Sequence, residues 1–181
     1  EQSRFVTDAS NWADLRFETA GDGTVHTCQT SWCHGAPGIG LARLRALRGA
    51  AAAGLPARMV AGLVHNAVVA VETTLRRGPC DNHSLCHGTA GNLELLVQAA
   101  ASEALPDAVR RRRRQHVHGW AAELADDVLR HGPRCATRLG IDTPGLMTGL
   151  AGIGFQLLRL AEPSAVPAVL TLDSYPTAYP S

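Results

Sequence analysis

Three stretches of the chain share one pattern, and that internal repeat limits the possible folds more than any other feature of the sequence. They read Trp-Cys-His-Gly-Ala-Pro-Gly-Ile-Gly-Leu from Trp32, Leu-Cys-His-Gly-Thr-Ala-Gly-Asn-Leu-Glu from Leu85, and Met-Thr-Gly-Leu-Ala-Gly-Ile-Gly-Phe from Met147. In each, two glycines three apart (Gly35 and Gly38, Gly88 and Gly91, Gly149 and Gly152) stand before an apolar run. Glycine permits positive φ and close backbone approach where a loop turns sharply into a helix start. A repeated loop-to-helix unit is implied.

Behind the glycines the apolar residues recur at helical spacing: Ile39, Leu41, Leu44, Leu47; then Leu93, Leu95, Leu96, Ala99; then Ile153, Phe155, Leu157, Leu158, Leu160. Between the repeats two longer helices are predicted, Ala57–Arg77 and Asp107–His131. Each opens after a proline (Pro56, Pro106) and closes at a glycine (Gly78, Gly132), the usual asymmetry of helix ends. No segment alternates like a strand. The pattern predicts an all-α chain of stacked hairpins, inner helix then outer helix, with the glycine loops gathered on one face.

Residues 1–30 have no periodicity and read as a loop entering the first repeat, with a turn at Gly21-Asp22-Gly23. The chain is therefore expected to begin partway through a domain. From Pro163 onward there are four prolines, which forbid a long helix. The repeats then occupy 31–163, with an extended tail over 164–181.

With 181 residues, 45% of them apolar, the chain can bury a core. A formal charge of +1 gives no global field to attract nucleic acid or an anionic membrane. The run of arginines at 110–114 lies at the start of an outer helix without interleaved aromatics, so it reads as a solvated face. No secretory signal opens the chain, and no apolar run approaches the roughly 20 residues that span a bilayer. A cytoplasmic location without stable membrane insertion is expected. Five cysteines, an odd number, then point to thiol or metal chemistry rather than a disulfide framework.

Cys33 and Cys86 hold the same position in neighbouring repeats, so stacking brings them to one rim, and His87 follows Cys86 directly. Two thiolates and an imidazole are a common zinc set that leaves a fourth tetrahedral position open. The thiolates neutralise Zn²⁺, so a substrate thiol can bind there and stay nucleophilic. The plainer alternative makes both cysteines small buried apolar residues. Recurrence at one place in a repeat favours the metal. His34 is placed one layer out from the metal or in the substrate pocket, as an acid/base candidate. Asn82 and His83 are candidates for the same rim. Cys28, Cys80 and Cys135 are left as packing residues, and no metal role falls to His116 and His118.

Ser31-Trp32-Cys33-His34-Gly35, Asn82-His83-Ser84-Leu85-Cys86-His87-Gly88 and Gly149-Leu150-Ala151-Gly152 together resemble the lanthionine synthetase C-like family. More narrowly, they resemble the carboxy-terminal cyclase domain of class II (LanM-type) lanthipeptide synthetases. The likeness runs from about residue 30 to the proline-rich tail. It implies an α,α-toroid, of which this chain holds the C-terminal hairpins, and zinc on Cys33, Cys86 and His87. The implied reaction adds a cysteine thiol of a dehydrated precursor peptide to dehydroalanine or dehydrobutyrine, closing a thioether ring.

The resemblance also implies an acid/base histidine and aspartate in earlier repeats, and a dehydratase region, neither of which stands in these residues. The isolated chain is accordingly expected to be a poorly soluble fragment with little cyclase activity. A non-catalytic zinc or glutathione-binding scaffold is the second reading. A zinc hydrolase is the weakest, since no His-Glu-x-x-His is present and Glu94 sits well down its helix.

Overall fold

Proline and glycine set the boundaries of the helices in the computed structural model, which describes residues 2–17 and 27–173. The helices are α1 (Ala36–Gly49), α2 (Ala57–Arg77), α3 (Thr89–Ala101), α4 (Asp107–His131) and α5 (Leu150–Ala161). The outer helices α2 and α4 begin after Pro56 and Pro106 and end at Gly78 (φ 79°) and Gly132 (φ 81°), as the sequence predicts. The turn expected at 21–23 and the tail beyond 173 lie outside the described residues.

Packing follows the repeat. α1 pairs with α2 and α3 with α4, while α1, α3 and α5 sit side by side. This is the alternation of inner and outer helices of an α,α-toroid, and the fold is all-α. The inner helix α3 is the most enclosed, with Leu93, Leu95, Leu96 and Ala99 fully buried against Leu41, Leu44, Ala70 and Val71. Burying an aliphatic side chain of this kind contributes about 1.5–3 kcal/mol. The row of inner helices is also stapled by charge. Glu94, 1% exposed, accepts from Arg159 of α5 at 2.7 Å and from Gln98 and Gln156.

α5 is covered on one side only. Ile153 and Gln156 are buried, whereas Leu150 and Leu158, two turns apart on the helix, stand 38% and 64% exposed and Leu146, in the loop before it, 41%.

Three expectations need correction. The head contains a short antiparallel pair, β1 (Phe5–Val6) with β2 (Asn11–Trp12), followed by a 3-10 turn over Leu15–Phe17. Two-residue strands are too short to leave an alternation signal. Within the arginine run, Arg113 is 1% exposed and paired with Glu72 of α2, so that position is a buried tie between outer helices. The tail makes a 3-10 turn over Val169–Thr171, and the Trp32 indole N–H donates to the Leu170 carbonyl at 3.2 Å.

Candidate metal centre

The glycine loops repeat in space as they do in sequence. A Cβ on Gly38, Gly91 or Gly152 would overlap the carbonyl oxygen six residues earlier, that of Trp32, Leu85 or Leu146. Each loop therefore closes on its own helix start through a glycine. Gly35 alone of the three helix-preceding glycines has positive φ, at 97°, while Gly88 and Gly149 are extended at −119° and −120°. What excludes a side chain at those two is crowding, by Asn82 at Gly88 and by Thr143 at Gly149.

The loops are also hydrogen-bonded to one another at one register. The Cys33 amide donates to the Cys86 carbonyl at 3.3 Å, and the Cys86 amide donates to the Met147 carbonyl at 2.8 Å. Cys33, Cys86 and Met147 are the equivalent positions of the three repeats. The ladder sets the two cysteine side chains next to each other.

Among the described residues one group of potential metal ligands emerges: the ligand atoms of Cys33, Cys86 and His87 lie within 4.8 Å of one another. Bonds of about 2.0–2.3 Å in a tetrahedral zinc site hold ligand atoms roughly 3.5–3.8 Å apart. Two soft sulfurs and an imidazole at this spacing fit Zn²⁺ with little movement. Both cysteines are half-buried and His87 is exposed, so the group opens toward solvent.

Electrostatics favours the metal-binding forms only in part. Burial first, and the neighbouring Cys33 next, push the Cys86 thiol up to about 11, while the Arg16 cation acts downward. Burial and then Arg16 lower the pKa of His87, which keeps its ring neutral. Arg16 thus promotes anionic sulfur and neutral imidazole together. A divalent ion supplies the remaining charge needed to deprotonate the thiols.

Arg16 comes from the head, in the 3-10 turn over Leu15–Phe17. Asp14, with no exposed side chain, accepts from Arg16 Nη2 at 2.6 Å and Nε at 3.0 Å, and this pairing holds the carboxyl at about 2. His34 Nδ1 lies 3.5 Å from the same carboxylate, beside Cys33 rather than within the ligand group. Asn11, fully buried, accepts from the Ala36 amide at 2.8 Å and so caps the start of α1. Ser31 Oγ lies 3.5 Å from Cys33 Sγ. An Asn-Trp-x-Asp-x-Arg run before the first repeat was the available signal for this shell, but its role depends on contacts across the chain.

The other candidates separate cleanly. Asn82 accepts from the Ser84 amide and donates to the His87 carbonyl, shaping the second loop from within. His83 is not on the rim: it is 2% exposed and turned onto α4, with Nε2 2.8 Å from Asp127 and Nδ1 accepting from the Arg134 amide. Cys80 accepts from Asn92 Nδ2 at 3.3 Å, and burial raises its thiol. All five cysteines are free.

The family model for lanthionine synthetase C-like protein matches residues 1–171. The chain belongs to the lanthionine synthetase C-like family. The match takes in the head with Asp14 and Arg16, beyond the stretch from about residue 30 that carries the resemblance in the sequence. No curated protein matches the chain. Among the described residues no helix is long and apolar enough to cross a membrane.

Proposed function

We propose that the chain is the zinc-binding part of a lanthionine cyclase, which closes thioether rings in a dehydrated precursor peptide. The observation that carries this reading is the convergence of Cys33, Cys86 and His87 from equivalent loops in a member of this family. Zinc, when bound, supplies Lewis acidity that keeps a substrate thiol deprotonated at neutral pH. Cys33, Cys86 and His87 would hold the ion, and the negative charge of the two protein thiolates would leave a substrate sulfur beside them electron-rich. The sulfur bonds to the β-carbon of dehydroalanine or dehydrobutyrine as the C=C electron pair moves onto the carbonyl. A proton delivered to the α-carbon completes the addition. His34, beside Cys33 and near Asp14, is the proposed proton donor among the described residues.

A class II synthetase origin is part of the proposal, supported by the Trp-Cys-His-Gly and Leu-Cys-His-Gly loops. A non-catalytic thiol-binding scaffold is the second reading, favoured by the lone position of His34 as a donor. Thioether formation by the zinc-loaded protein on a dehydrated peptide separates them. Turnover that requires Cys86 supports the cyclase; zinc and thiol binding without any thioether product sinks it.

A further inference from the structure

The inner helices begin at the glycine loops, and a cavity of about 670 Å³, within the usual range of ligand sites, opens at their opposite ends. Leu44, Leu47 and Arg48 of α1 and Gln98 of α3 line one side, and the chain that follows α5, as far as Asp173, lines the other. Arg48 stands about 18 Å along α1 from Ala36, well away from the candidate metal ligands. The tail-side wall is fixed by buried groups. Arg159 donates to the Pro163 carbonyl at 3.1 Å and to that of Val166 while it pairs with Glu94, and Gln98 donates to Thr171 Oγ1 at 3.1 Å.

Asp173 is held differently. Its carboxylate lies 2.8 Å from Arg48 Nη1 and 3.7 Å from Arg45 Nε, on side chains 41% and 53% exposed. Leu172, just before it, is in the left-handed region at φ 55° and ψ 40°, with 86% of its surface exposed. An exposed ion pair contributes little, and a left-handed conformation in a residue with a side chain has a cost of similar size. The carboxylate therefore sits on Arg48 in close balance with release.

We propose that this cavity docks an acidic segment of a peptide, a carboxylate side chain next to an apolar one, and that Asp173 is the internal stand-in that occupies its cationic end. The incoming carboxylate replaces Asp173 on Arg48, its apolar neighbour packs on Leu44 and Leu47, and Leu172 is freed from its strained conformation. Charge selects the partner. Once Asp173 withdraws, Arg48 faces the cavity without its carboxylate, whereas Arg159 stays neutralised by Glu94. Glu103, also on the lining, is exposed to solvent. The metal loops take no part, so this site and the thiol chemistry stand or fall separately.

The test is fluorescence polarisation at low salt with the peptide Ala-Leu-Glu-Leu-Ala, carrying a neutral dye, and its glutamine counterpart. The glutamate peptide is expected to bind about tenfold tighter than the glutamine one, and Arg48→Gln to remove that preference. Asp173→Asn is expected to tighten the glutamate peptide about fivefold, because the stand-in no longer competes. This gain separates a latched site from an arginine that attracts any anion, and it is read in a variant altered only on the exposed tail. Equal binding of the two peptides, a preference retained in Arg48→Gln, or Asp173→Asn with affinity unchanged or lowered overturns the proposal. Free N-acetylglutamate competing as strongly as the peptide also overturns it, since the site then reads a carboxylate alone.

Discussion

The Cys33 amide donates to the carbonyl oxygen of Cys86, 3.3 Å away, so two residues far apart in sequence share one rung of a backbone ladder. The next rung joins Cys86 to Met147. The position of the candidate ligands is therefore a property of how loops stack, and each side chain is aimed by a turn that closes against a glycine.

Removing one sulfur tests the ligand set. Cys86→Ala is expected to lower zinc from one per chain to near zero after dialysis, and Cys135→Ala to leave it unchanged. Metal analysis of the purified proteins checks both. Zinc uptake is also expected to release protons from the thiols, so apparent affinity rises with pH, the Cys86 thiol standing at about 11 before the metal binds.

Gly91→Ala probes the loop closure. The added Cβ meets the Leu85 carbonyl, backbone that cannot swing aside. Destabilisation by at least about 3 kcal/mol is expected, at the upper end of overpacking costs. Gly62→Ala, where a Cβ meets nothing within 4 Å, serves as the control and is expected to stabilise α2 by about 0.5–1 kcal/mol. Urea midpoints compare the two.

Breaking the buried staple should be costly for stability and silent for metal. Glu94→Ala leaves Arg159, 7% exposed, without its carboxylate. A loss of about 3–5 kcal/mol is expected, with zinc stoichiometry unchanged when the protein is folded. The corresponding measurement is denaturant unfolding alongside metal content.

His83 gives the pH dependence. Burial lowers its pKa from 6.5, against the opposing hydrogen bond to Asp127, and Arg134 acts in the same direction as burial. The folded state thus binds the proton less readily than the unfolded chain. Stability from this group is full above the unfolded value of 6.5 and falls as pH drops below it, until the folded pKa is passed. Unfolding midpoints at pH 7.5 and 5.5 should differ, and His83→Gln should shrink the difference.

Leu150 and Leu158 are exposed on α5. Leu150→Gln together with Leu158→Arg is expected to change stability by no more than about 0.5 kcal/mol per site while reducing self-association. Light scattering at equal concentration is the check.

The helices, and the candidate ligand positions, were legible because their signals are carried by the sequence itself. Pro56 and Gly78, or Pro106 and Gly132, bracket outer helices through backbone preferences that need no partner, and Cys33 and Cys86 stand out by repetition. The head was not legible for the opposite reason. Asn11 matters because it meets Ala36, Asp14 because it holds Arg16 beside Cys33, and none of this leaves a periodic trace. His83 misled because its place just before the Cys86 motif suggests the rim, whereas the tight loop turns it onto Asp127. Arg113 misled because a run of like charges hides a member that Glu72 draws inward.

The ladder from Cys33 through Cys86 to Met147 has a consequence for how the molecule comes apart. A solenoid of hairpins unfolds as a sum of units and nearest-neighbour terms, so its end repeats can fray separately. Ligands drawn from two adjacent units tie them into a single cooperative block. Metal loading should therefore merge the unfolding of the first two hairpins into one transition and leave the third to melt alone, its Met147 offering no thiolate with which to join them.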